Sequence, residues 1–288
     1  MTSNGFLITQ VAEHNLYSEL IQDDYIRDNN LSSRPVKLDL RGERMDVDIE
    51  TLILFPDSFT FSMFPDGLGL HPFGGATNTL FEKIHPIDLD PACFHYLHTF
   101  FEQTRQETLD THHLSQVSME TDPLVASLLT GSKQLVIVLR EELDYFILPN
   151  SSTSSQHTLA RHQLKTLAGQ HLVQENKVFD ALIRNIEKEH NQAEHHLVAM
   201  LCEAGFGTDD PWAYRALDPK RTCITSLSLC RLSHTLDPTD RMDIIQRFML
   251  FWKKPARKCW WDVEQLELDG TAIRLWKRRT FWLELATV

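Results

Sequence analysis

Long hydrophobic runs are missing from this sequence. The longest, such as Leu135–Leu139, fall far short of the roughly 20 residues a membrane-spanning helix needs, so no membrane insertion is expected. The opening residues, MTSNGFLITQ, have neither a basic n-region nor an apolar core, and are not expected to act as a secretory signal. The ending LATV is no prenylation site. Cations are scarce as well: 28 Lys and Arg stand against 40 Asp and Glu, a net charge of −12. Phosphate backbones demand clustered positive charge, so nucleic acid is not expected as a main partner. Cysteine is sparse and odd in number, with Cys93, Cys202, Cys223, Cys230 and Cys259 and no C-x-x-C pair. Most of these thiols neighbour apolar residues, which suits a reduced cytosolic or nuclear protein, and a cytoplasmic location is expected. Asn30-Leu31-Ser32 and Asn150-Ser151-Ser152 match the glycosylation pattern, but without an export signal neither is expected to be used.

What is present is ordinary globular material. Apolar residues make up 42% and charged residues 24% of 288, enough to bury a full core without disulfides and to form two domains or one domain with a large appendage. Residues 1–33 are polar and predict a flexible arm. Residues 34–149 predict a first domain. In it Val36, Leu38 and Leu40 alternate with polar neighbours, as do Met45, Val47 and Ile49, a hairpin turning at Gly42-Glu43. Short helices are predicted over Glu50–Leu54 and Phe59–Phe64, the second capped by Ser58. Ile87–Leu89 predicts a brief strand. Asp90-Pro91 opens a helix through Phe94, Leu97 and Phe101, with Asp as N-cap and Pro at the first helical position. Residues 102–122 read as a polar insertion, and Glu141–Leu148 as a helix-like segment. Residues 150–207 predict a Ser/Thr-rich linker and one long helix, broken near Gly169 and ended by Gly205-Phe206-Gly207. Residues 208–288 predict a C-terminal α+β region, with a helix over Thr239–Trp252. Its hairpin turns at Asp269-Gly270, and Phe281–Leu285 is expected as a third strand. Five of the six tryptophans lie beyond residue 250, which points to a small core of its own there.

Four pieces of the first domain, in order, resemble the BTB/POZ fold of the tetramerisation (T1, KCTD-like) type. They are Val36-Lys37-Leu38-Asp39-Leu40-Arg41-Gly42; Thr51-Leu52 with Phe55-Pro56-Asp57-Ser58; Met63-Phe64-Pro65; and Ile87-Asp88-Leu89-Asp90-Pro91 with Phe94-His95-Tyr96-Leu97. In that family they form the first hairpin, the first helices and a strand-to-helix turn. The sequence departs from it in carrying Arg41-Gly42 where Gly-Gly is usual, and in long stretches at 66–86 and 102–122. Three further pieces extend the resemblance: Val138-Leu139-Arg140-Glu141-Glu142-Leu143-Asp144-Tyr145-Phe146, Cys259-Trp260-Trp261-Asp262, and the run Trp276–Leu285. With these the chain resembles the fungal whiskey-type (Whi) phosphatase activators. The resemblance implies a non-enzymatic adaptor that recruits or activates a plasma-membrane phosphatase of the haloacid dehalogenase class. It implies a role in the general stress response and in restraining TOR complex 1 signalling under amino-acid limitation. It also implies an α+β fold, recruitment to the plasma-membrane periphery, and self-association through the BTB domain. A cullin-linked BTB adaptor for ubiquitination is the alternative with the same fold.

No catalytic, cofactor-binding or metal residue is assigned. Asp88 and Asp90 have the spacing of a haloacid dehalogenase pair, but His85-Pro86-Ile87 is not the buried strand that would aim both carboxylates, and Asp90 serves better as a helix cap. Glu187-x-x-His190 lacks the second half of a di-iron site, and Gln192-x-x-His195 does not replace it. The pairs His112-His113 and His195-His196 point apart on helix or strand. Gly131-Ser132-Lys133 has the wrong order for a phosphate loop, and Gly74-Gly75 lacks a dinucleotide context. Two basic clusters, Lys253, Lys254, Arg257 and Lys258, and Arg274, Lys277, Arg278 and Arg279, have two readings. One is docking to an acidic phosphatase face or a membrane surface. The other is charge that protects a strand edge. The long helix has two readings as well, a seam for a partner or packing on the first domain. The Ser151–Ser155 cluster reads as a phosphorylation site or a passive linker.

Overall fold

The computed structural model describes residues 35–65, 79–111, 128, 133–149, 161–218, 220–232, 238–251 and 256–288. The fold is mixed α+β. The described residues form two compact units, each drawn from separate stretches of chain: one within 35–137, 238–251 and 285–288, the other within 138–232 and 256–284.

In the first unit β1 (Val36–Leu40) pairs antiparallel with β2 (Glu43–Val47), Val36 opposite Val47 and Leu40 opposite Glu43. That register puts the turn at Arg41-Gly42, one residue earlier than the sequence suggests. Both residues have positive φ, 53° and 103°, the combination that lets a two-residue turn follow the twist of its strands. The Asp39 carboxylate accepts the Gly42 N–H at 2.7 Å, which fixes the corner. The expected strand at 87–89 is displaced upstream: β3 spans Ile84–Ile87, parallel to β1, giving the order β2-β1-β3. Pro86 is tolerated there because an edge strand need not donate from every residue.

Helices α1 (Ile49–Ile53) and α2 (Asp57–Met63) follow the hairpin. Ser58 lies inside α2 rather than capping it, and Pro56 holds the N-cap position. Past α3 (Thr79–Glu82), α4 (Pro91–Thr111) begins as the sequence suggests, with Asp90 Oδ1 accepting Ala92 N–H at 2.9 Å. It runs ten residues beyond Phe101, so the first half of the expected insertion is helical. The segment Glu102–Thr111 is rich in good helix formers, and Glu102 bonds Arg105 and Gln106 one turn on. The remainder, 112–122, lies outside the described residues. The core gathers Val36, Leu38, Leu40, Leu52 and Leu97 around three rings, Phe55 lying 5.7 Å from Phe94 and 5.5 Å from Phe101. Residues of α8 (Pro238–Phe251), notably Ile245 and Phe248, are also buried.

The second unit carries a sheet of order β5-β6-β4-β8-β7, from β4 (Leu135–Pro149), β5 (Tyr214–Leu217), β6 (Cys223–Arg231), β7 (Ala256–Leu268) and β8 (Thr271–Thr287). Here Glu141–Leu148 is strand, not helix. Glu141, Leu143 and Tyr145 are buried in alternation with more exposed neighbours, and a carboxylate at an inward position hides the two-residue period. The strands of 208–288 therefore share a sheet with β4 instead of forming a separate small domain. The Asp269-Gly270 hairpin forms as expected, with Leu268 opposite Thr271, but Phe281–Leu285 continues β8 and is no third strand.

The single long helix is three helices: α5 (Arg161–Gln174), α6 (Asp180–Glu189) and α7 (Gln192–Ala204). The second break is made by His190 at φ 53° and by Asn191, whose side chain caps Ala193 and Glu194. Gly205, at φ 134°, ends α7 as the sequence suggests. Gly169 breaks nothing. A Cβ there would meet the Tyr145 hydroxyl at 2.5 Å, so the glycine lets mid-α5 press onto the sheet. Leu143, Tyr145, Leu164, Ala168, Leu172, Ile224, Ile273 and Leu275 make that core.

One ion cluster joins α1 to α4. The Thr51 hydroxyl donates to Glu102 at 2.7 Å, and Arg105 bonds both Glu102 and Glu50. The hydrogen bond from Arg105, reinforced by Gln106 and Thr51 against the effect of burial, pulls the Glu102 carboxyl down to about 2 from 4.5. A depressed acid stabilises the fold above its unfolded value and loses that contribution as pH falls through its folded value. The part of stability owed to Glu102 is thus complete above about pH 4.5 and gone near pH 2. Thermal midpoints across this window should fall less steeply in Glu102→Gln than in the wild type, and parallel curves would remove the assignment.

Candidate functional site

Strict alternation along β8 sorts its residues onto two chemically different faces. Lys277 and Arg279 point inward and are 2% exposed, whereas Arg274 and Arg278 between and beside them point outward. The basic run near 277–279 is therefore neither a uniform docking patch nor simple edge protection. Lys258 of the other cluster is buried as well, on Glu189 and Glu194. Lys253 and Lys254 lie outside the described residues.

The inward charges form one network. Glu141 is 1% exposed and receives Arg215 at 2.8 Å on one oxygen and Arg279 at 2.9 Å on the other. Arg215 also donates to the Ser226 hydroxyl and to the Leu172 carbonyl at 3.0 Å, satisfying an open carbonyl near the C-terminus of α5. Arg279 continues to Glu175 at 2.6 Å, just past α5. Lys277 reaches Glu264 at 2.7 Å and Asp262 at 3.5 Å, its cross-strand neighbours on β7. Burial is the largest influence on Glu175 and opposes its charge, but Lys277, Arg279 and Arg184 together outweigh it and hold the carboxyl below its ordinary range. Burial likewise opposes the Arg279 charge, and Glu141 and Glu175 more than compensate. Every strand from β5 to β7 except β6 places an ion in this network, and β6 contributes Ser226. It is a brace for the sheet.

The outward face of the same strands is aromatic. Trp261 and Phe146 are 51% and 48% exposed, their rings 6.1 Å apart, and Trp276 stands 6.3 Å from Trp261 edge-on. Leu148 and Val263 add exposed aliphatic surface. Arg140 and Arg257 lie over the Trp282 ring at 4.7 and 5.1 Å, and Arg274 lies over Trp276 at 5.9 Å. Arg278 is held by Asp144 at 2.9 Å. An exposed apolar cluster of this kind, edged by guanidinium groups, has the composition of a protein-binding surface. Sequence reasoning noticed the tryptophans but assigned most of them to a core. Trp212 and Trp260 are buried, whereas the outward set is marked by its parity along β4, β7 and β8, a signal readable only once the strands are known.

The residues tested for chemistry fall in separate places, with one group of four at the α6–α7 joint. Asp88 accepts Arg41 Nε at 2.7 Å at an exposed position, while Asp90 caps α4, so the pair points to two separate tasks. Glu187, His190, His195 and His196 line a groove of about 560 Å³ at the α6–α7 joint, together with Asn191 and Gln192. Among the described residues no group of three or more His, Cys, Asp or Glu is arranged to hold a metal ion. Burial, with Asp144 nearby, pushes the Cys223 thiol up to about 12, and burial pushes Cys230 to about 11, so neither is a nucleophile near neutral pH. His112-His113, Gly74-Gly75, Gly131-Ser132 and Ser151–Ser155 lie outside the described residues. No described helix is long and apolar enough to cross a membrane.

No family model matches the chain. It is 30% identical over 277 residues to a WHI2-like protein of Schizosaccharomyces pombe, an alignment that covers 91% of each chain. It is 25% identical over 293 residues to the growth regulation protein of Saccharomyces cerevisiae, covering 79% of this chain and 60% of that relative, less than two thirds of its length. An uncharacterized protein of Schizosaccharomyces pombe is 23% identical over 263 residues, covering 90% and 89%.

Removing one partner of a buried ion cluster strands the others, at a cost of about 3–5 kcal/mol. Glu141→Leu, which leaves Arg215 and Arg279 facing each other, should lower the unfolding free energy from urea titration by an amount in that range. Adding Arg215→Met and Arg279→Met to it should restore most of the loss. A single substitution as mild as the triple would show that the network is not a brace.

Proposed function

Because the chain belongs to the family of WHI2-like proteins, we propose that it is a growth regulator acting as a non-enzymatic adaptor. In this reading it recruits or activates a plasma-membrane phosphatase of the haloacid dehalogenase class. It promotes the general stress response and restrains TOR complex 1 signalling when amino acids are limiting. The observation that carries the reading is the alignment with a WHI2-like protein over nine tenths of both chains. The name of the growth regulation protein points the same way. On the structural side, the exposed aromatic face of the second unit supports work by contact with other proteins, and Asp88 and Asp90 are occupied by separate structural partners.

The first unit is, in the same proposal, a BTB/POZ domain of the tetramerisation type. Supporting this are the hairpin at 36–47, the two short helices at 49–63, the strand-to-helix passage at 84–91, and the order β2-β1-β3. Such a unit gives the adaptor a means of self-association. The adaptor works in the cytoplasm and at the plasma-membrane periphery, brought there by its partner.

Affinity purification of the full chain from its own cells, followed by mass spectrometry, tests the reading. A haloacid dehalogenase-class phosphatase is expected in the eluate, and cells lacking the protein should fail to arrest growth on amino-acid withdrawal. An eluate with a cullin and no phosphatase would transfer the protein to ubiquitin ligation. Turnover of a generic phosphoester by pure protein, abolished in Asp88→Asn, would make it an enzyme.

A further inference from the structure

The outward face of β4, β8 and β7 ends at each side in a guanidinium that no carboxylate of the described residues neutralises. Arg278 is paired with Asp144 and Arg140 with Glu142 at 3.7 Å, but among the described residues no acid lies within ion-pair distance of Arg257 or Arg274. Both stack instead on indoles, Arg257 on Trp282 and Arg274 on Trp276. In the β7–β8 ladder Arg257 is opposite Trp282 and Arg274 is opposite Gln265, eight residues further along β7. At about 3.4 Å per residue their backbone positions lie roughly 27 Å apart along the ladder. Between them lie the exposed Trp261, Val263 and Phe146.

We propose that this face binds an extended acidic segment of a partner protein, with carboxylates about eight residues apart and apolar side chains between them. An extended chain of that length spans the same distance as the two arginines. Its acids reach Arg257 and Arg274, and its central apolar residues cover Trp261, Val263 and Phe146. Stacking has already fixed both guanidinium planes, so less freedom is lost when a carboxylate arrives. Trp and Arg are the residues that most often dominate binding energy at protein interfaces.

Charge decides among the possible occupants. A second copy meeting this face with its own would set guanidinium against guanidinium, leaving Arg257 and Arg274 without the carboxylates they need. An anionic bilayer would lay negative charge over the whole face, Glu142, Asp144 and Glu267 included, whereas a segment with acids only at its two ends meets Arg257 and Arg274 and leaves those carboxylates uncovered. The proposal goes beyond the regulator reading, since any protein with such a segment would fit.

Selection of ten-residue peptides displayed on phage against the purified full chain tests it. Enriched peptides should carry Asp or Glu at both ends of an apolar stretch. Synthetic versions should bind about thirty-fold more weakly to Trp261→Ala, as for an interface residue worth about 2 kcal/mol, and the double variant Arg257→Glu, Arg274→Glu should enrich Lys- and Arg-ended peptides instead. These side chains are outward-facing, and an unchanged melting curve will show that the variants fold. Peptides without acids, equal binding to Trp261→Ala, or no enrichment would overturn the proposal. So would binding to phosphatidylserine vesicles that depends on Arg257 and Arg274, or a dimer in sedimentation that Trp261→Ala dissolves. No phosphatase is present in this assay, so its failure leaves the regulator reading intact, and an eluate without phosphatase leaves the surface intact.

Discussion

Two oxygens of one hidden carboxylate hold the second unit together. Glu141 is in the middle strand of five and takes one guanidinium from β5 and another from β8. Neither arginine can be withdrawn without leaving a bare charge in a low-dielectric interior, and neither can be satisfied if β4 shifts by one residue, since the side chain would then face outward. The network is therefore a register device before it is a source of stability. It also explains why a sheet whose strands come from distant parts of the sequence has a single arrangement. Arg215 of β5 reaches past β6 to Glu141 on β4, Arg279 joins β8 to β4, and Lys277 joins β8 to β7.

Where the sequence was easy to read, local rules governed. The β1–β2 hairpin follows from alternation, α4 from Asp90 and Pro91, the last hairpin from Asp269-Gly270, and the end of α7 from Gly205. Where it was hard, tertiary partners overrode local appearance. Glu141 looks like a surface residue and so disguises β4 as a helix-like segment, and only its arginines justify the burial. Gly169 looks like a helix breaker and is a point of close approach to Tyr145. Lys277, Arg278 and Arg279 look like one basic patch, and strand parity divides them between a brace and a surface. The aromatic face was the least legible of all, because its members come from three strands far apart in the chain.

The same parity links the fold to its use. The inward positions of β7 and β8 are shared between ions (Asp262, Glu264, Lys277 and Arg279) and apolar core such as Ile273 and Leu275, while Trp261 and Trp276 fall on the outward positions. Rigidity follows as well: the rings of Trp261 and Trp276 stand on strands whose reverse side is locked by Lys277, Asp262 and Glu264. A binding surface on such a backing does not have to be ordered when the partner arrives, which lowers the entropic cost of association. This is the property that the proposed adaptor role calls for.

The place of β4 in the sheet also governs how the chain is made. Its neighbours are β6 and β8, so the strand leaves the ribosome about 75 residues before the first of them and about 120 before the second, counted from Pro149 to Cys223 and to Thr271. Throughout that interval a strongly apolar strand with a charge at its centre has no ladder to join. Until β6 and then β8 have been made, both long edges of β4 stand open, the condition under which a growing chain is most prone to wrong pairing.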